Sequence, residues 1–569
     1  MLSESLDRTA ADVLVHKLRE FGVERIFGIP GDAINGIVDA IRRHPEMEFI
    51  QVRHEEAGAF MASAYAKLTG NLGVCLGTAG PGAIHLLNGL YDAKLDHAPV
   101  LAITGQVDSD VLGTHYFQEV NLRHLFDDVT VYNAQVATPD QVAHVATLAA
   151  REALSQGGVA QITFPLDIPN RTVSRDASDF PAVHPEEAPV PEPAEIERAI
   201  RALNEGKNIV LLVGRGALDA HEEVEALGER LAAPIVKTLP AKGLLPDDHP
   251  LVIGGLGFLG TRPGQEAMEH AKTLLMVGTS FPFTNFLPDD AFTIQIDNDP
   301  GALGLRTNVD VALLGDAKAT LKELGTRVKA RTNRRFLRTY QKATEAWWKY
   351  MAEEEGRETV PLRPASVAKA VSDAADVDAI VSVDVGNVTT WTARNFRATA
   401  WRRFIFSANL ASMGFGLPGA LAAQLTYPDR QCLAMCGDGG FTMLMGDFVT
   451  AVKYRLPVKV VVFNNSKLAM IRYEQEVAGH PDFGTDLQPI DFARFAEACG
   501  GRGYRVEEPA DLRSTVEEGL AQQGPVLLDA IVDPDVPPLP PRIQVKQAYR
   551  YVWALFREKF PWAHVEEGA

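Results

Sequence analysis

The chain has 569 residues, of which 46% are apolar and 23% charged. This composition is typical of globular domains and excludes a disordered, collagen-like or coiled-coil chain, and at roughly 150 residues per domain the length predicts three or four domains. The 55 Lys and Arg residues against 74 Asp and Glu give a net charge of −19, which argues against a nucleic acid partner because a polyanion would be repelled.

The first unit, residues 1–180, alternates short apolar runs with helical patterns. The predicted strands are 72–76, 100–104 and 160–164, and helical patterns cover 56–68 and 141–154. The N-terminus lacks the apolar core of a signal peptide, and no stretch approaches the ~18 apolar residues that cross a bilayer. We therefore expect a soluble cytoplasmic protein. The cysteines fit this expectation as scattered, buried, reduced thiols, at Cys75, Cys432, Cys436 and Cys499.

A proline-rich acidic segment from Ser174 to Glu197 separates the first unit from a second one at 190–340. Such a segment cannot continue a sheet or a helix and is typical of a linker. The strands predicted in the second unit are 209–213, 274–277 and 293–296, and those of a third unit at 355–535 are 379–383, 432–436, 458–463 and 526–531. Strands alternating with helices predict the α/β class, here three doubly wound parallel-sheet domains.

A tail at 536–569 follows, with an amphipathic helical pattern over 542–560. The apolar positions on one helical face are Val545, Tyr549, Val552, Phe556 and Phe560. Such a helix could dock on an anionic membrane, but packing on its own protein is the favoured interpretation.

Polar clusters follow two predicted strands of the third unit. Strand 432–436 runs into Gly437-Asp438-Gly439-Gly440, and strand 458–463 runs into Asn464-Asn465. The Asp438 carboxylate and the Asn465 amide oxygen are ligands that Mg²⁺ prefers, and a helix expected to begin near Phe441 would favour a phosphate. A lone Gly-Asp-Gly indicates a tight turn, but the pair, 24 residues apart, has the spacing of the thiamine diphosphate motif.

The chain therefore resembles the thiamine-diphosphate-dependent 2-oxo-acid enzymes, the family of pyruvate oxidase and acetolactate synthase. The resemblance implies that Asp438, Asn465 and the backbone carbonyl of Lys467 bind the metal. It implies a bulky wedge that bends the cofactor, at Met413, and a carbonyl that accepts from its amino group, at Ala411. The other implied cofactor contacts of this unit are Gly386, Asn387, Gly437, Gly439, Gly440 and Ile471.

A glutamate motif, Arg53-His54-Glu55-Glu56, ends a predicted strand of the first unit and opens a helix. From the residues alone, a carboxylate at this place indicates helix capping. The resemblance implies that Glu55, rather than Glu56, is the catalytic acid, which shares a proton with the pyrimidine ring of the cofactor and so helps to form its ylid. In the family this glutamate and the metal site come from different subunits. The resemblance therefore implies a homo-oligomer, at least a dimer and by expectation a homotetramer.

Glycine-rich motifs in the second unit are weak evidence by themselves. Gly214-Arg215-Gly216 lacks the third glycine of a dinucleotide fingerprint, and 255–260 matches it but has its acidic partner Asp297 42 residues after Gly255 rather than about 20. A packing turn explains both equally well. The order of these and later motifs resembles the FAD domain of pyruvate oxidase. The FAD contacts implied are Gly214, Gly216, Gly257, Gly278, Phe281, Asp297 and Asp316.

The segment after the asparagine pair separates an oxidase from a carboligase. Acetolactate synthases typically have tryptophan where this chain has Glu474, whereas pyruvate oxidases have glutamate there. Met470, by contrast, is similar to the synthases, and Phe117 and Gln118 are implied to line the active site in both classes. His85 is placed near the cofactor, although a core histidine is an equally fair interpretation.

The resemblance thus implies oxidative decarboxylation of pyruvate, or of a similar small 2-oxo acid, through the cofactor's ylid and an enamine. Electrons would pass to FAD and then to O₂ or a quinone, and the acetyl group to phosphate or water. The alternatives are an acetolactate synthase-type carboligase, in which FAD takes no redox part, and a non-catalytic flavin- or thiamine-binding regulator.

Overall fold

A computed structural model describes residues 8–174, 189–538 and the single positions 181 and 554. Apart from positions 181 and 554, most of the predicted linker and the predicted C-terminal helix lie outside the described residues. The described residues form three six-stranded sheets, and every strand pairing in them is parallel. The predicted fold class is therefore confirmed.

The first sheet has the strand order β2-β1-β3-β4-β6-β5. Its strands are β1 Arg25–Gly28, β2 Glu48–Gln51, β3 Gly73–Gly77, β4 Val100–Gln106, β5 Tyr132–Gln135 and β6 Val159–Pro165. The helices around it are α1 Ala10–Glu20, α2 Asn35–Arg43, α3 Glu55–Thr69, α4 Pro81–His85, α5 Leu87–Leu95, α6 Leu122–Leu125 and α7 Val142–Gln156.

The second sheet has the order β12-β11-β10-β7-β8-β9. Its strands are β7 Ile209–Val213, β8 Ile235–Lys237, β9 Val252–Gly255, β10 Thr273–Val277, β11 Phe292–Asp297 and β12 Val311–Leu314. The helices are α8 Pro193–Glu205, α9 His221–Leu231, α10 Arg262–Glu269 and α11 Ala317–Arg327, and α12 Arg335–Glu355 leads to the third domain.

The third sheet has the order β14-β13-β15-β16-β18-β17. Its strands are β13 Ile380–Val383, β14 Arg403–Phe406, β15 Cys432–Gly437, β16 Lys459–Asn464, β17 Arg502–Val506 and β18 Val526–Ile531. The helices are α13 Pro364–Ala374, α14 Asn387–Asn395, α15 Gly416–Thr426, α16 Asp438–Leu444, α17 Phe448–Lys453, α18 Ala469–Ala478, α19 Phe492–Ala498 and α20 Pro509–Leu520.

The first and third sheets share one topology, because both read 2-1-3-4-6-5 when each is numbered from its own first strand. In such a sheet the strand order reverses between strands 1 and 3, and ligands bind beyond the carboxyl ends at that point. In the third sheet the reversal falls between β13 and β15, so the residues after these two strands occupy the expected binding position.

The first and third domains share one apolar core within the chain. Helix α3 packs against α15, where the rings of Phe60 and Phe415 meet edge to face with centroids 5.7 Å apart. The backbone N–H of Gln51 donates to the Tyr454 hydroxyl at 2.8 Å across the same boundary.

Two expectations need correction. The helix expected near Phe441 begins at Asp438, because Gly437 is extended and already acts as the N-cap. Cys499 is partly exposed at the end of α19, whereas the other three cysteines are buried as predicted. Within the described ranges, no helix combines the length and the apolar character that crossing a membrane requires.

Candidate functional site

Glu55 is the first residue of α3, and local capping fixes its position. The extended His54 is the N-cap, and its Nδ1 accepts from the N–H of Glu56 at 3.2 Å. Glu55 is only 8% exposed, and one of its carboxylate oxygens lies 3.0 Å from Nδ1 of His85. The His54 and His85 rings stack with centroids 4.6 Å apart. His85, left open by the sequence, is therefore a partner of the predicted catalytic acid.

The loop before α4 brings a second predicted residue to this place. Gly80 has a φ of 59°, and a Cβ added there would lie 3.1 Å from Gln118. A Cβ on Gly82 would lie 3.4 Å from Glu55 Oε1. The structure thus brings Glu55 and Gln118 to the two sides of one glycine loop, while the neighbouring Phe117 presents a side chain that is 77% exposed.

Glu56 has a different environment from Glu55. Its carboxylate accepts a hydrogen bond from Asn88 Nδ2 at 2.6 Å, and the same amide donates to Ser412 Oγ of the third domain at 2.9 Å. Glu56 therefore helps to hold two domains together, whereas Glu55 contacts His85 within the first domain.

Asp438 is held at the N-terminus of α16 by backbone donors. Its carboxylate accepts from the N–H groups of Gly439 at 2.9 Å, Ser466 at 2.6 Å and Asn465 at 3.2 Å. Burial raises the pKa of Asp438 to about 6. The structure therefore joins the loops after β15 and β16, as the positions of the two motifs predict.

The groups around Asp438 suit a hard cation. The Asn465 side-chain oxygen accepts from the N–H of Lys467 at 3.0 Å. The Lys467 ammonium is engaged by Asp482 and Asp486, each at 2.6 Å, so the backbone carbonyl is the group of Lys467 that fits a ligand role. A carboxylate, an amide oxygen and a carbonyl are the donor set of Mg²⁺.

A second buried carboxylate, Asp384, organises the site at the end of β13. It accepts from the N–H of Val385 at 2.7 Å and of Gly414 at 2.9 Å, and burial raises its pKa to about 6. Its bond to Gly414 fixes the segment that carries Ala411, whose φ is 56°, and Met413, whose methyl group lies 3.3 Å from the position of a Cβ on Gly439. The sequence predicts cofactor contacts at Gly386 and Asn387 of the same loop but assigns none to Asp384.

The remaining predicted contacts, in the loops after β13 and β15, fit a diphosphate. Gly386 has a φ of 124°, and no atom lies within 4 Å of a Cβ on Gly386 or on Gly437. The Asn387 amide oxygen is buried and has no hydrogen-bond partner among the described residues. Gly440, by contrast, faces inward, because a Cβ there would lie 2.9 Å from the Asp384 carboxylate. Open backbone N–H groups at these glycines can donate to a phosphate oxygen, whereas the unpaired Asn387 oxygen is an acceptor and fits a donor or a cation.

Helix α18 lies immediately after the metal-site loop and carries the residues that the sequence used to separate oxidase from synthase. Ile471 is 45% exposed, and Glu474 is exposed. In the part of the chain that the structure describes, the Glu474 carboxylate makes no hydrogen bond or ion pair, so it is free to meet a substrate or a partner chain.

The predicted flavin contacts lie at the carboxyl ends of the strands of the middle sheet. The Gly214 N–H donates to the Val277 carbonyl at 2.9 Å, and the Gly216 N–H to the Gly278 carbonyl at 3.1 Å. Gly278 has a φ of 60°, and a Cβ on it would lie 2.5 Å from Gly216 atoms. At this crossing of the 214–216 and 278 backbones, the two segments approach so closely that only glycine fits. A dinucleotide site and a packing turn both require such a close approach.

Other members of the predicted flavin set have mixed roles. Gly257 has a φ of 93°, and a Cβ added to it would lie 3.3 Å from the Phe281 ring. Asp297 ends β11, and burial raises its pKa. Asp316 is the N-cap of α11, where its carboxylate accepts from the N–H of Ala319 at 2.7 Å, so a capping role explains it without a ligand.

Glu55 and Asp438 have separate hydrogen-bond partners among the described residues. Glu55 contacts His85, whereas Asp438 contacts the 465–466 backbone, and among the described residues no hydrogen bond joins the two groups.

Comparison with known proteins identifies all three domains. Residues 8–125 match the model of the thiamine pyrophosphate enzyme N-terminal TPP binding domain, residues 196–324 the central domain, and residues 384–530 the C-terminal TPP binding domain.

Three relatives cover nearly the whole chain. "Putative thiamine pyrophosphate-containing protein YdaP" of Bacillus subtilis is 44% identical over 95% of this chain and 94% of its own. A pyruvate oxidase of Lactiplantibacillus plantarum is 37% identical over 93% of this chain and 89% of its own. An acetolactate synthase of Mycobacterium bovis is 32% identical over 93% of this chain and 88% of its own.

Proposed function

Because this chain belongs to the thiamine pyrophosphate enzyme family, whose cofactor is also called thiamine diphosphate, we propose that it decarboxylates pyruvate, or a similar small 2-oxo acid, oxidatively. The reaction breaks the bond between C1 and C2 and releases CO₂. Two electrons pass to FAD and then to O₂ or a quinone, and the acetyl group passes to phosphate, giving acetyl phosphate, or to water, giving acetate.

The observation that carries this proposal is Glu474. It is an exposed, unengaged carboxylate on α18, directly after the loop of Asp438 and Asn465. The greater identity to a pyruvate oxidase, 37%, than to the acetolactate synthase, 32%, points the same way. A carboxylate beside the reacting centre can hold or transfer a proton as charge leaves the substrate, which the tryptophan typical of synthases cannot do.

Each half of the site has a defined task in this proposal. Bound thiamine diphosphate supplies a carbon nucleophile and an electron sink, and bound FAD supplies a two-electron acceptor. Glu55 holds the proton at the pyrimidine, and His85, 3.0 Å away, orients its carboxylate. Asp438, Asn465 and the Lys467 carbonyl hold Mg²⁺, and Met413 supports the cofactor against Gly439.

The proposed FAD site is the place where the backbones of Gly214, Gly216 and Gly278 cross. Gly257, Phe281 and Asp297 lie beside it. We propose a dimer in which each active site takes one half from each subunit, as the resemblance to the family implies. We propose a dimer of dimers on the same ground. The cytoplasmic location stays a prediction.

The test is anaerobic mixing of the purified holoenzyme with pyruvate. An oxidase is expected to lose the flavin absorbance near ~450 nm in a single turnover. Reoxidation by O₂ and by a soluble quinone, measured separately, then identifies the acceptor. A carboligase, which Met470 and the synthase relatives favour, would form acetolactate while the flavin stays oxidised, and this outcome would refute the oxidase.

Glu55→Gln provides the matched test of the catalytic acid. We expect flavin reduction to slow by about 10²- to 10⁴-fold, because general acid–base catalysis contributes that much, while FAD binding is unchanged. Glu56→Gln is the control, since it keeps the contact with Asn88 and should slow the reaction less than about tenfold. Equal rates of flavin reduction in Glu55→Gln and wild type would remove Glu55 from the mechanism, and no turnover by either protein would favour a non-catalytic regulator.

A further inference from the structure

Arg394, near the C-terminal end of α14 in the third domain, reaches into the middle domain. Its guanidinium donates to three successive carbonyls there, those of Phe258 at 3.1 Å, Leu259 at 3.3 Å and Gly260 at 3.2 Å. These carbonyls belong to the glycine-rich loop 255–260, which follows β9 and contains the predicted flavin contact Gly257. One buried side chain therefore holds the whole second half of this loop.

The loop's own contacts include a bond from the Gly260 N–H to the Gly257 carbonyl at 2.9 Å and the packing of Phe258 edge to face on Phe283 and Phe286. Gly257 is left-handed, with a φ of 93°, and Phe258 is 49% exposed. Glycine-rich segments lose much conformational entropy when they become ordered. The planar guanidinium, with five N–H donors in a fixed fork, can bind several carbonyls at once, so Arg394 can supply order that the loop sequence does not.

The guanidinium remains a cation in this place. Burial lowers the pKa of Arg394 to about 10, and the Tyr350 and Tyr473 side chains interact with it electrostatically. It is therefore charged at neutral pH beneath the loop. A fixed positive charge near a flavin stabilises its reduced, more negative form.

The same end of α14 is bound from a second side. The Lys242 ammonium, in the middle domain, donates to the Ala393 carbonyl at 2.8 Å and pairs with Asp247 at 2.9 Å. The other end of α14 begins at Gly386-Asn387, the predicted diphosphate contacts. The nine residues of this helix span about 13 Å at 1.5 Å per residue and run from one proposed cofactor site to the other.

We propose that Arg394 is a positioning residue of the flavin site, which acts from the diphosphate domain by fixing the 255–260 loop in its binding conformation. This inference rests on the proposed use of FAD. It assigns to α14 the role of keeping the two cofactor sites in register, so that the electron acceptor stays at a fixed position relative to the decarboxylating centre.

The test compares Arg394→Met, Arg394→Lys and the control Arg397→Met in the full-length protein. Arg397 lies three residues further on, where it stacks on Trp348 at 3.9 Å and pairs with Glu355 at 2.8 Å. In the part of the chain that the structure describes, it makes no hydrogen bond to the 255–260 loop. Arg397 touches Arg394 through the Arg394 backbone carbonyl, to which it donates at 3.0 Å, so the control removes a guanidinium close by and keeps the Arg394 side chain that contacts the loop.

Three measurements follow. The FAD dissociation constant, from flavin fluorescence, should rise about ten- to a hundredfold in Arg394→Met, since bonds from a charged donor are lost. The midpoint potential of the bound flavin should become more negative. Amide hydrogen exchange over 255–261, measured without flavin, should accelerate while that of β7 is unchanged.

The outcomes are distinguishable. Arg394→Lys keeps the charge with fewer directed donors and should fall between wild type and Arg394→Met, and it decides the question if the methionine variant does not fold. Wild-type protein that binds no FAD would refute the proposed function, yet loop exchange would still test Arg394. FAD affinity, potential and loop exchange that match wild type in both variants, or equal changes in Arg397→Met, would overturn the inference.

Discussion

Replacing Lys67 by methionine tests the junction of the first and third domains. The Lys67 ammonium, on α3, is 5% exposed and lies 2.7 Å from Asp92 and 2.6 Å from Asp96. It also donates to the Phe406 carbonyl of the third domain at 2.9 Å. Methionine keeps the length and apolar stem of the side chain but leaves two buried carboxylates without their cation.

The size of the effect follows from this geometry. Removing one partner of a buried ion pair costs about 3–5 kcal/mol, and here one cation serves two carboxylates. Asp92 has no exposed surface, and its Oδ1 has no hydrogen-bond partner among the described residues, so the Ser63 hydroxyl, which donates to Oδ2 at 2.6 Å, compensates only in part. We expect a loss of about 3–5 kcal/mol in the free energy of unfolding.

The loss should depend on pH. Burial raises the pKa of Asp92, and Lys67 opposes this rise. A carboxyl whose folded pKa is raised favours the folded state when protonated, and this contribution is lost as the pH rises through the folded pKa. Without Lys67 the pKa rises further, so the deficit of the variant should be larger at pH about 8 than at pH about 5.

The assay is urea unfolding followed by fluorescence, with amide exchange of α3 and β14 as a second probe because a three-domain chain need not unfold in two states. Lys94→Met is the control. Lys94 pairs with Asp128 at 3.2 Å where Asp128 is 75% exposed, so its loss should cost less than about 1 kcal/mol. Adding Asp92→Asn to Lys67→Met should restore part of the stability.

The cluster also bears on the cofactor. Asp96 accepts from the N–H groups of Ala408 and Asn409, both at 3.0 Å, and this segment leads to Ala411 and Met413. The variant should therefore bind thiamine diphosphate more weakly. If Lys67→Met and Lys94→Met unfold at the same urea concentration, and the deficit does not change with pH, the cluster does not carry the energy assigned to it.

Three further predictions concern the cofactor sites and the thiols. Gly278→Ala should abolish FAD retention, because its Cβ would overlap Gly216, whereas Gly304→Ala, with a φ of 71° and open space, should cost only about 1–2 kcal/mol of backbone strain; equal FAD binding in the two variants would contradict the crossing. Asp438→Asn should raise the Mg²⁺ requirement for thiamine diphosphate binding by at least about tenfold, and unchanged metal dependence in a titration after chelation would exclude Asp438 as a ligand. Burial raises the pKa of Cys436 well above its usual range, so a thiol reagent on the native protein should modify Cys499 first, as peptide mapping would show.

The sequence predicted most interior strands of each sheet, although not β1 and β8, and few of its edges. The ten strands found from apolar runs are all interior, and their bounds lie within two residues of those in the structure. A strand such as β7 is buried along its whole length, so it must be apolar throughout. Edge strands such as β17, Arg502–Val506, are partly exposed and carry polar residues, so an apolar run does not reveal them. Of the six edge strands, only β2 was expected, as the strand that ends at the glutamate motif, and no bounds were predicted for it.

The candidate site also has a part that the sequence predicts and a part that it does not. Asp438 and Asn465 could be placed from the sequence because the turn after a parallel strand lies at a known edge of the sheet. The contact of His85 with Glu55, the bond from Gly414 to Asp384 and the reach of Arg394 to Phe258 join residues 30 to 136 positions apart. Tertiary packing decides such contacts, and no local pattern encodes them.

In the part of the chain that the structure describes, three buried cations at domain boundaries make the same kind of contact. Lys67 joins the first domain to the third, and Lys242 and Arg394 join the middle domain to the third. Each donates to backbone carbonyls across its boundary. Such a hydrogen bond forms only when the donor and the carbonyl have the correct distance and orientation. A buried polar contact that fits one arrangement penalises every other. We therefore infer that these cations fix how the domains of one chain meet, which apolar packing alone would leave less defined.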